Sequence, residues 1–116
     1  MSPLGEWLRK YRLENRITLR EMSRRIGVSA AFLSAVEIGN KAVTERILND
    51  IISVFGFEED KAHELRLAAD RSRNSVRVEI GRNQPRGDAE IAALFARNFG
   101  GLDEDQKDRI RKLLED

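Results

Sequence analysis

Apolar residues recur at helical spacing through most of this chain, so a run of short amphipathic helices is predicted. Leu4, Trp7, Leu8 and Tyr11 share one stripe of a first helix, which Ser2 and Pro3 open. Proline suits that first position because no intrahelical amide bond is lost there. Leu19, Met22 and Ile26 give the stripe of a second helix. Thr18 is placed to cap it, and Glu21, three residues on, completes a predicted capping box. Ser23 falls on the inner side, where a small residue lets another helix come close. Gly27 ends this helix in a tight turn that needs left-handed backbone. Ser29 caps a third helix, Ala30 to Glu37, with Leu33 and Val36 inward and Ala30, Ala31, Ser34 and Ala35 outward. Thr44 caps a fourth, whose Ile47, Leu48, Ile51, Ile52 and Phe55 form a broad apolar face closed by Gly56. A fifth, Glu58 to Asp70, turns Ala62, Leu65 and Ala69 inward.

The pattern changes after residue 70. Val76, Val78 and Ile80 alternate with Ser75, Arg77 and Glu79, the period of a strand. No other stretch alternates in this way, and a lone strand has no ladder partner. Antiparallel pairing with the same strand of a second copy would set Val76 opposite Ile80 and Arg77 opposite Glu79. Residues 75–80, through Val76, Arg77, Val78, Glu79 and Ile80, are therefore the expected dimerisation ribbon. An extended linker or an edge kept for another protein are the alternatives. Two further helices are predicted, 88–99 capped by Asp88 and 103–115 capped by Asp103 with Gln106. Their stripes are Ile91, Leu94, Phe95 and Phe99, then Ile110, Leu113 and Leu114. They form an expected helical hairpin too small to stand alone. The division expected is 1–70 for the front domain and 71–116 for a dimerisation or partner-binding extension.

Two short helices joined by a glycine turn, the second with a bland outer face, make a helix-turn-helix pattern. From Leu4 to Phe57 the chain resembles the Cro/repressor (XRE) family of DNA-binding domains, through TLREMSRRIGVS, LS.VE.G and IGNKAVTERILNDIISVFGF. The resemblance implies an all-α fold: a five-helix, lambda-repressor-like domain, here followed by the short strand and the hairpin. It places base-edge contacts on Ser29, Ala30, Ala31, Ser34 and Ala35, and phosphate contacts on Asn40 and Lys41. It also pairs Arg12 with Glu37, with a guanidinium edge left for a phosphate. Arg20, Arg24 and Arg25 lie on the open side of the second helix, which in such motifs crosses the sugar–phosphate backbone. Arg46 flanks them. The family often opens that helix with a Gln that grips DNA; here Leu19 stands there, so that contact is absent or replaced. Three alanines among five base-facing positions can touch only thymine methyls. Sequence choice then falls on DNA shape or on two copies acting together.

Charge sharpens this picture modestly. The net charge is +1, but residues 1–57 carry 9 Lys+Arg against 6 Asp+Glu, and residues 58–116 carry 12 against 14. A basic front fits a DNA-facing half and an acidic rear a partner-facing one. There is no Cys, and the single His63 has no companion ligands, so no metal site or cofactor is expected. No nucleophile–base pair and no phosphate-cradling glycine loop is present, so catalysis is not expected. With no signal-like or membrane-spanning run, a cytoplasmic, nucleoid-associated protein is expected. The leading function is a repressor-type transcriptional regulator bound as a homodimer to a two-fold operator in double-stranded DNA. The alternatives are an antitoxin that neutralises a toxin partner and represses its own operon, and an interaction module that has lost DNA contact.

Overall fold

The computed structural model describes residues 1–115, which divide into two units, one spanning Met1–Ser75 and one beginning at Val76. The first unit holds α1 (Pro3–Glu14), α2 (Leu19–Ile26), α3 (Ala30–Ile38), α4 (Glu45–Phe55) and α5 (Glu59–Arg71). Ser2, Thr18, Ser29 and Thr44 each accept a bond from the amide three residues on, as their sequence positions predict. Each such cap is worth about 1 kcal/mol, because it satisfies a donor the helix itself cannot. Only the Thr18 half of the predicted capping box at α2 forms among the described residues.

The apolar stripes meet as the spacing requires. Leu8, Met22, Leu33, Leu48, Ile51 and Leu65 are sealed from solvent, with Leu4, Ile26 and Val36 beside them. At about 25 cal/mol per Å² of apolar surface, this shared core is what holds five short helices together. Ser23 is buried, and its hydroxyl donates to the Arg20 carbonyl at 2.8 Å. Trp7, Tyr11, Phe55 and Phe57 pack edge-on and stacked at the rim, with centroids 4.9–6.0 Å apart.

The start of α1 is the hub of the unit. Gly5 lies directly on the backbone of Glu37, so α1 and α3 touch main chain to main chain. The Ser2 amide donates to the Glu37 carbonyl and its hydroxyl to the Val36 carbonyl, both at 3.2 Å. The Leu4 amide donates to the Ser72 hydroxyl at 2.8 Å, and that hydroxyl donates to the Ala68 carbonyl at the end of α5. Orphan groups at three helix ends thus satisfy one another. At the other end of α1, Arg16 takes the left-handed conformation, φ 55°, while the Ile17 amide reaches back to the Arg12 carbonyl at 2.8 Å.

The second unit holds α6 (Arg86–Asn98), a 3-10 turn (Phe99–Gly101) and α7 (Glu104–Glu115). Three expectations change here. Residues 75–80 are irregular, not a strand. No second strand exists among the described residues to accept their bonds, and an unpaired strand keeps its peptide groups on water. Arg77 instead takes up Glu79 of its own chain at 2.8 Å, both side chains well exposed, an arrangement that adds little stability. The helix expected from Asp88 starts at Arg86, with Asp88 inside its first turn. Pro85, with its fixed φ, already sets the entry, and the Asp88 amide donates to its carbonyl. Finally, the expected hairpin has no core, since no residue of α6 or α7 is buried. The predicted cap at α7 does form, with Asp103 and Gln106 exchanging bonds at 3.0 and 2.8 Å.

Candidate nucleic-acid interface

The turn between α2 and α3 is three residues, Gly27 to Ser29. Gly27 sits at φ 78°, and the Val28 amide reaches back to the Ser23 carbonyl at 3.0 Å. This six-to-one closure needs left-handed backbone, which glycine adopts without strain. The Ser29 side chain then opens α3, accepting from the Phe32 amide at 3.0 Å. Leu33 and Val36 drop into the core, which turns the opposite face of α3 outward. On that face Ser29 and Ala31 are exposed and Ala30, Ser34 and Ala35 half-exposed. The side chains of Ala30, Ala31, Ser34 and Ala35 make no hydrogen bond among the described residues, while Ser29 already caps.

One ion pair fixes the attitude of α3. The Arg12 Nε and one terminal nitrogen each donate to a Glu37 carboxylate oxygen at 2.9 Å, and the third nitrogen lies 3.5 Å from the Ile17 carbonyl. Both side chains are largely covered, 12% and 6% exposed. The parallel two-bond geometry sets direction as well as distance. Three of the five guanidinium N–H groups are thus engaged within the protein, one from each nitrogen.

The other expected phosphate-contact side chains are open to solvent. Arg20 and Arg24 are exposed on α2, and Arg46 is exposed in the first turn of α4. Arg25 is exposed too, but its guanidinium rests 4.5 Å over the Phe55 ring, which limits its freedom. Asn40 and Lys41 are exposed just beyond α3. The amides of Gly39, Asn40 and Lys41 all donate to the Ala35 carbonyl, at 3.0, 2.8 and 3.3 Å, so the loop is wound tightly onto the helix end. Val76, Arg77, Val78, Glu79 and Ile80, read above as a dimerisation ribbon, lie in the second unit without strand structure.

Two residues that set this geometry escape the sequence reading. Gly5 carries a signal, since a glycine inside an apolar helical stripe costs about 1 kcal/mol against alanine and so calls for a packing reason. Ser72 carries none, because its partner Leu4 lies at the far end of the domain. Among the described residues no acidic, His or Cys cluster could hold a metal, and no helix is long and apolar enough to cross a membrane.

A family model described as a helix-turn-helix domain matches residues 3–65, more than half of the chain. No curated protein and no solved structure matches the chain. The matched span runs from the start of α1 well into α5, and so contains the turn, both helices of the motif and the Arg12–Glu37 pair. The chain belongs to the helix-turn-helix domain family, in a five-helix layout consistent with the Cro/repressor type.

Proposed function

We propose that this protein is a transcriptional regulator of repressor type that places α3 in the major groove of a two-fold operator. The observation that carries the reading is the outward face of α3, four short side chains with no bonds to their own chain, flanked by exposed cations before and after. A helix dressed in this way enters a groove without steric conflict. Ala30, Ala31 and Ala35 contact thymine methyls, while Ser29 and Ser34 offer hydroxyls to base edges. Arg20, Arg24, Arg25, Asn40, Lys41 and Arg46 hold phosphates on either side. Arg12 holds Glu37, and with it α3, at its angle, and the two N–H groups it does not use within the protein are available to a phosphate. Few base-edge donors on α3 means that sequence choice rests on DNA shape and on two half-sites read together.

The competing reading, a scaffold that has lost DNA contact, is favoured by the alanines of α3. Mobility shifts against DNA from the gene's own upstream region, at two salt concentrations, separate the two. Binding should weaken with salt at about 0.9 in log–log slope per phosphate contact. The double variant Arg24→Ala, Lys41→Ala should lose about 2 from that slope and at least about tenfold in affinity. A complete lack of salt-dependent binding, or a double variant that binds as the parent does, sinks the DNA reading.

A further inference from the structure

We propose that the unit beginning at Val76 is a self-association module in which α6 and α7 of two copies close into one four-helix bundle. The proposal deepens the operator reading, on which its purpose rests, by naming the surface that joins the two half-site readers. The starting observation is that six large apolar side chains, Ile91, Leu94, Phe95, Phe99, Leu113 and Leu114, are each 46–78% exposed. They are not scattered. Ile91, Leu94, Phe95 and Phe99 recur at the spacing of one helix face, the two Phe rings 5.5 Å apart, and Leu113 and Leu114 end the stripe of α7. Isolated helices of 12 or 13 residues are marginal in water, so two such helices need a surface to pack on.

Two features select a second copy as the occupant. The first is area. Six such side chains, half to three-quarters bare, offer on the order of 600 Å² per copy, close to the roughly 800 Å² per partner of a standard interface. The second is charge. Glu104 and Asp105 open α7, and Arg111 and Lys112 stand near its other end, with Lys107, Asp108 and Arg109 between them and Glu115 as the last residue; the first six residues sum to −1 and the last six to +1. Two such helices laid antiparallel about a two-fold axis set acid against base at both ends, whereas parallel pairing sets like against like. The polarity is one net charge per half, enough to favour the antiparallel arrangement over the parallel one.

Sedimentation equilibrium of the full chain at 1–50 µM is the test. The parent should run at twice the chain mass. Phe95→Asp on α6, and separately Leu113→Asp with Leu114→Asp on α7, should each weaken association by about 100-fold, since two copies of every altered side chain leave the interface together. Helix loss alone could mimic that result, so a second set reverses charge. Arg111→Glu with Lys112→Glu should loosen the dimer at least about tenfold, and adding Glu104→Lys with Asp105→Lys should restore it, although both changes oppose the helix dipole. A parent that is monomeric at 50 µM, variants that stay dimeric, or reversal without rescue each overturn the proposal. Binding of another protein by a monomeric parent counts among those overturning results. The DNA reading fails separately: a dimer that never shifts DNA leaves the module intact and removes the regulator.

Discussion

Replacing Gly5 by alanine adds one methyl group at the point where α1 meets α3. A Cβ built there falls within 2.6 Å of three Glu37 backbone atoms, the carbonyl carbon at 2.5 Å and Cα at 2.6 Å. Ordinary carbon contacts lie near 3.5–4.0 Å, so the two helices must part by roughly 1 Å or more. The obstacle is main chain at the end of a helix, which cannot swing aside as a side chain does. Parting weakens the two 3.2 Å bonds from Ser2 to Val36 and Glu37 and spoils the alignment of Arg12 on Glu37. Overpacking costs about 1–3 kcal/mol and the two bonds about 1 kcal/mol each, against about 1 kcal/mol gained from alanine's helix propensity. The net loss is about 3 kcal/mol, a large share of the roughly 5–15 kcal/mol that holds a domain folded. Urea unfolding followed by circular dichroism should show a midpoint lower by about 1–3 M with the slope unchanged. Gly87→Ala is the control, because that glycine lies in α6 with open space around its Cβ position, and it should leave the first unit's transition in place. A Gly5→Ala protein as stable as the parent would refute main-chain contact between α1 and α3.

Glu37→Gln should destabilise the fold by about 3–5 kcal/mol, read by the same unfolding assay, because it strands the covered Arg12 charge. Arg12→Lys should fall between that variant and the parent, since an ammonium cannot make both 2.9 Å bonds. Arg16→Gly should raise the melting temperature by a few degrees, worth about 0.5–1 kcal/mol, as glycine relieves the side chain held at φ 55°. Ser72→Ala should cost about 1–2 kcal/mol in chemical denaturation, because the Leu4 amide loses its acceptor, and Ser72→Thr should recover part of it.

What the sequence made legible was whatever is decided locally. The Ser2, Thr18, Ser29 and Thr44 caps, the Gly27 turn and the apolar stripes are each specified within a few residues, and all of them appear. Pairing of Arg12 with Glu37 spans 25 positions and became legible through family resemblance, not through spacing. The Gly5–Glu37 approach and the Ser72 bridge depend on how helices distant in sequence come together, which no periodicity encodes. The alternation at 75–80 misled for a related reason. Alternation describes a surface fit to a sheet, while a ladder also needs a partner, and the chain holds no other segment of that kind. Pro85, placed just ahead of Arg86, was the stronger start signal for α6 than the carboxylate at Asp88.

The unbonded outer face of α3 also separates two properties that many proteins must trade against each other. Leu33, Val36, Glu37 and the Ser29 cap secure the helix from below and from its ends. Ala30, Ala31, Ser34 and Ala35 can therefore be exchanged for other helix-compatible residues at a cost of about 0.7 kcal/mol or less apiece. Under the proposed groove contact, preference among DNA sequences would be open to rewriting at those four places while the scaffold stays as it is.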